Sequence, residues 1–147
     1  MIQFSKWVQQ RYLNLHRWVG KLYVFLILFI SAPAAMVMSF YANGGAFAQM
    51  SFIILTALWW WFTWKAWTTV KNRDIVGHQK FMIRSYALTL SAISLRISQL
   101  LLSQHTYWEP QTIYLTISWS SWVGNLLVAE LIIWLRFRET ENSGIRD

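Results

Sequence analysis

Four apolar runs, each long enough to cross a bilayer as a helix, constrain this chain more than any other feature. They are Leu22–Tyr41, Met50–Val70, Met82–Leu102 and Thr112–Leu135. A hydrocarbon core of ~30 Å takes about 20 helical residues to cross. In lipid a spanning segment must satisfy its own backbone groups, which helices do within one segment. The chain therefore reads as an all-α, four-helix transmembrane bundle with the lipid bilayer as its first partner. Composition agrees: the 147 residues are 56% hydrophobic and 13% charged, whereas soluble domains run near ~25% charged. Eleven tryptophans fit the same picture, because indole favours the membrane interface.

Basic residues set the expected orientation. Lys6, Arg11, Arg17 and Lys21 precede the first run, and Lys71, Arg73, Lys80 and Arg84 lie between the second and third. Arg136, Arg138 and Arg146 follow the fourth, and the two alternate loops carry no Lys or Arg. By the positive-inside rule both termini are cytoplasmic, in a multi-pass protein of the cell inner (plasma) membrane. The same placement argues against nucleic acid as the partner behind the net charge of +7, since the charges punctuate spans rather than line a groove. The chain has no cysteine, which excludes disulfides, thiolate metal sites and c-type haem attachment. The first run starts late and is too long for a signal-peptide core.

Around the spans, residues 1–18 read as an amphipathic interfacial helix, with Phe4, Trp7, Val8, Leu15 and Trp18 at roughly helical spacing. Pro33 in mid-span predicts a kink. Asn43-Gly44-Gly45 marks the first turn. Residues 136–147 form a polar tail, and the whole chain is one membrane domain with no usable internal repeat.

Few residues are candidates for chemistry. His16 and His78 sit at similar depth at the basic end. Two imidazoles there can ligate haem iron, hold a metal or contact a quinone head group; interfacial side chains beside arginines are the plainer reading. Ionisable groups inside spans are expensive, at roughly 2.5–3.5 kcal/mol each at mid-bilayer. At ~1.5 Å per residue, Glu130 and Lys65 lie at matched depth near the basic end, and Arg84 is an alternative partner for Glu130. Arg96 lies about 21 Å into span three, too far for Glu130, so it needs span-end carbonyls, Asn125, Tyr114 or a bound anion. Ser85, Thr89, Ala92, Arg96 and Ser103 share one face of span three, and a polar stripe holding an arginine suggests a cavity. The tryptophans of span two read as an interface belt before a ligand wall. No nucleophile–base–acid set, phosphate loop or carboxylate pair is present to suggest hydrolytic chemistry.

Two clusters carry a family resemblance. One is His16-Arg17-x-x-Gly20-Lys21-x-Tyr23. The other is Arg73-Asp74-Ile-x-x-His78-x-x-Phe-Met82-Ile-Arg84-Ser85-Tyr-Ala-Leu-Thr89 with Arg96 downstream. Over roughly residues 14 to 135 the chain resembles the DUF2306 family of small bacterial multispan membrane proteins. The resemblance implies no activity, since that family's function is not established. It implies a site at His16, Arg17, Gly20, His78, Met82, Arg84, Ser85 and Arg96. Phe81 departs from the tryptophan expected there, a change within the aromatics.

The leading expectation is a membrane protein with a cytoplasmic-side His/Arg site, redox-linked through b-type haem or quinone, with His16 and His78 on the haem iron. One alternative is a small carrier or sensor for an anionic ligand, with a cytoplasm-facing cavity lined by Arg84, Arg96, Ser85 and His16. The other is an accessory subunit, in a homo-oligomer or a larger membrane complex.

Overall fold

The computed structural model of the chain describes residues 13–42, 44–105 and 109–143. All its regular elements are helical: α1 (Leu13–Leu26), a π-helical turn (Ile27–Ser31), α2 (Ala32–Phe40), α3 (Gly45–Lys71), α4 (Ile75–His105) and α5 (Pro110–Ser143). α1, the π-turn and α2 run on without a gap and form the first span. The four apolar helical stretches are Asn14–Phe40, Gly45–Lys71, Ile75–Leu102 and Gln111–Arg138. Each is about 40 Å long at ~1.5 Å per residue, so its ends reach past the hydrocarbon into the interfacial zone.

The expected interfacial helix falls mostly on residues 1–12, outside the described residues. From Leu13 onward the helix runs without a break into span one. Nothing in His16-Arg17-Trp18 forces a break, since long basic side chains can leave a continuous helix for the interface. The disturbance foreseen at Pro33 is a π-turn just upstream of it, with Pro33 in the first turn of α2. Pro33 has no N–H to give to the preceding turn, and a widened turn accommodates its ring.

The bundle differs from a soluble domain in its apolar exterior and in the small size of its most deeply buried side chains. The largest fully buried side chains are Thr63, Ser51, Ser85, Ser91 and Ser118, while Phe29, Met38 and Leu127 face outward. Small residues let helices approach closely, and their hydroxyls bond locally or across the interface. Thr56 and Thr63 donate to carbonyls one turn back. Between spans, Ser51 Oγ donates to Ser118 O at 2.7 Å and accepts from Trp122 Nε1 at 2.9 Å. Asn125 Nδ2 donates to Ala87 O at 3.2 Å and joins Ser94 Oγ at 3.0 Å.

Span three packs between spans two and four, whereas span one leans chiefly on span two. The consequence is a crevice between spans one and three. Two turns hold the helix ends. Gly44 has φ +105°, and a Cβ there would lie 2.8 Å from Tyr114 Cδ1, so this position requires glycine. Between α3 and α4, Asp74 Oδ1 accepts from Gly77 N–H at 2.8 Å, capping α4. A Cβ on Gly77 would lie 2.1 Å from Asp74 Oδ2. Arg73, at φ 60°, reverses the chain just before that cap. The Arg73-Asp74 part of the motif is thus turn architecture.

Candidate functional site

Polar groups line the side of the bundle between spans one and three at three levels. At the basic end stand His16 of α1 and His78 of α4. His78 Nδ1 lies 2.7 Å from the carbonyl oxygen of Ala66. A carbonyl only accepts, so Nδ1 carries the proton and neutral His78 presents a bare Nε2. Ligating histidines are commonly oriented by such a bond. His16 Nδ1 is buried and has no hydrogen-bond partner among the described residues. A buried, unsatisfied nitrogen costs roughly 1–3 kcal/mol, and a bound group would relieve that cost. Arg17, next to His16, is exposed.

About two turns deeper, Tyr23 bridges the crevice. Its hydroxyl lies 3.0 Å from both Ser85 Oγ and Thr89 Oγ1. Ser85 Oγ also lies 2.7 Å from Thr63 Oγ1. Thr89 Oγ1 donates to Ser85 O at 2.9 Å and accepts from Trp59 Nε1 at 3.1 Å. Tyr23 further stacks on Tyr86, ring centres 4.9 Å apart. Span one therefore reaches span three here through one side chain and its hydroxyl. Ser85 belongs to this network, with every bond turned inward.

Arg84 points to the other side of α4. Its Nε and Nη2 meet Glu130 Oε1 and Oε2 at 2.5 and 2.8 Å, a two-pronged fork between spans three and four. The guanidinium also lies over the rings of Phe81 and Phe62, at 5.5 and 5.9 Å. Phe81 is thus explained as a platform for Arg84. Depth matching favoured Lys65 as the partner of Glu130. Lys65 instead lies over the Trp61 ring at 5.1 Å. Helix rotation, which depth does not reveal, decides between them. Met82 is buried in the helix interface.

Beyond Tyr23, toward the end opposite the histidines, the crevice widens into a cavity of about 760 Å³. Arg96 lies on its wall with Trp59, Thr89 and Tyr114. Asn125, one of the partners considered for Arg96, is bonded to Ser94 and Ala87 instead. The expected single cavity lined by Arg84, Arg96, Ser85 and His16 does not form. The structure spends Ser85 and Arg84 on packing and puts Arg96 at the end opposite His16 and His78. Tyr23, Thr63 and Trp59 were missed as network members, although Tyr23 follows His16 by seven residues and so shares its face. Among the described residues no group of three or more His, Cys, Asp or Glu could hold a metal.

No curated protein and no solved structure matches the chain. The model of one family, described as predicted membrane protein (DUF2306), matches residues 1–133. Four apolar helices in one bundle and a match across nine-tenths of the sequence place the chain in the DUF2306 family of predicted membrane proteins.

Proposed function

We propose that this protein binds a redox-active group at the basic end of its bundle, with His16 and His78 as the residues that hold it. Haem b is the first candidate and a quinone head group the second. The observation that carries the reading is the state of the two imidazoles. One has its Nδ1–H committed to a backbone carbonyl, leaving a bare Nε2. The other has a buried nitrogen without a partner. Each stands seven residues before a member of the Tyr23–Ser85 contact between spans one and three, and so on the same helix face as that member. Haem would supply one-electron chemistry, and the chain's contribution would be ligation, orientation and exclusion of water. Tyr23 and the wall of span two close the crevice on the membrane side. The Lys and Arg distribution supports the cytoplasmic face for this end of the bundle, by the positive-inside rule.

Protein purified in detergent from haem-replete cells is expected to show a Soret band. His78→Ala should abolish it, while Arg17→Gln should leave it. If quinone is the ligand, organic extraction of the wild-type protein should yield it in near-stoichiometric amount, and His78→Ala should not retain it. A colourless, quinone-free preparation overturns the reading.

A further inference from the structure

The cavity at the far end of the crevice is a separate site. Counting its hydrogen-bond donors shows what it lacks. Ser39, Thr56 and Ser91 donate to the carbonyls of Met36, Phe52 and Leu88. Thr89 donates to Ser85 O, and Trp59 N–H goes to Thr89. The wall's donors without a hydrogen bond among the described residues are the Arg96 guanidinium, the Gln99 amide and the hydroxyls of Tyr41 and Tyr114. Arg96 and Gln99 stand three residues apart on α4 and so share one face. No acidic side chain lines the cavity, and the Asp/Glu ion pair found among the described residues belongs to Arg84. A span arginine with nothing to neutralise it is costly, which favours a bound anion.

We propose that this cavity binds an amphipathic carboxylate, its head group on Arg96 and Gln99 and its chain along the apolar wall. A guanidinium presents a planar fork that matches the two oxygens of a carboxylate. A single cation suits a monoanion. The remaining wall is apolar, with Val37, Met38, Phe52, Leu55, Leu88 and Leu95, so a small inorganic anion would leave most of it unfilled. A volume near 760 Å³ is within the range of small-molecule pockets, roughly 300–1,000 Å³. Ala92, Arg96 and Gln99 line the cavity and are nevertheless exposed. The opening therefore faces the surroundings of the bundle, and a ligand dissolved in the bilayer can enter sideways between spans one and three. The site does not depend on the histidines.

Equilibrium binding of radiolabelled palmitate to the detergent-purified full chain tests this. The wild type should bind saturably. Arg96→Gln should weaken binding by about tenfold or more, the value of one charge-assisted contact. Methyl palmitate, acetate and inorganic phosphate should not compete. Ala92→Phe, which fills the entrance without touching the charge, should also weaken binding. His78→Ala should bind as the wild type does. Should Arg96→Gln fail to fold, Ala92→Phe decides alone. The proposal is overturned by non-saturable uptake, by unchanged affinity in a folded Arg96→Gln or Ala92→Phe protein, or by competition from acetate or phosphate. The last result would identify a small-anion site.

Discussion

Replacing Tyr23 with phenylalanine removes one oxygen and tests how span one is held. That hydroxyl contacts Ser85 and Thr89, each at 3.0 Å. Deleting it strands neither partner. Ser85 keeps Thr63, and Thr89 keeps the Ser85 carbonyl and Trp59. The cost is therefore that of lost bonds, without the penalty for an orphaned group. Side-chain hydrogen bonds between membrane helices average about 0.6 kcal/mol, so two give a loss of about 1.2 kcal/mol. The ring still stacks on Tyr86. Thr89→Val is the contrast, since it leaves the Trp59 N–H without its acceptor and should cost more, about 1–3 kcal/mol. Equilibrium unfolding in mixed micelles, titrated with SDS and followed by far-UV circular dichroism, measures both. A Tyr23→Phe protein within about 0.3 kcal/mol of wild type would refute the bridging role. So would Thr89→Val proving the milder change.

Three further outcomes follow from the same geometry. Arg84→Ala leaves Glu130 unpartnered in a span and should cost about 2–3 kcal/mol in the same unfolding assay. Joint replacement, Arg84→Met with Glu130→Leu, should recover most of that loss; a double variant as unstable as the single one would contradict the pairing. Gly77→Ala should displace the Asp74 cap and cost about 1 kcal/mol, and adding it to Asp74→Ala should cost little more. Additive losses would show that the two residues act separately. Because the chain has no cysteine, single cysteines introduced at Asn72 and Ala46, both exposed, report orientation without background. A membrane-impermeant maleimide applied to intact cells should label the Ala46 position and spare Asn72; the reverse pattern would invert the bundle.

The spans were legible because insertion depends on summed hydropathy and length, and both are written directly in the runs. The basic clusters were legible as punctuation for the same reason. Contacts across the bundle were legible only where depth sufficed. Tyr23 and Ser85, each seven residues beyond a histidine, share a depth and do meet. Glu130 had two cations near its depth, and the choice between Arg84 and Lys65 turned on helix rotation. The stripe from Ser85 to Arg96 is one face of a helix, as its spacing indicates. Yet Arg96 follows Ser85 by eleven residues, about 16 Å of rise, enough to cross from a closed core into an open cavity. Tyr23 plugging the crevice between them is a tertiary event that no local pattern announces. The π-turn was half legible, because Pro33 predicts a disturbance without stating its form.

The reduced-minus-oxidised absorbance spectrum of the detergent-purified protein tests the two-histidine site most directly. The account predicts a Soret band with sharpened α and β bands on reduction, at about one haem per chain for bis-imidazole ligation, and loss of all three in His16→Ala and in His78→Ala. A featureless visible spectrum, in folded protein that also yields no quinone on extraction, would contradict it.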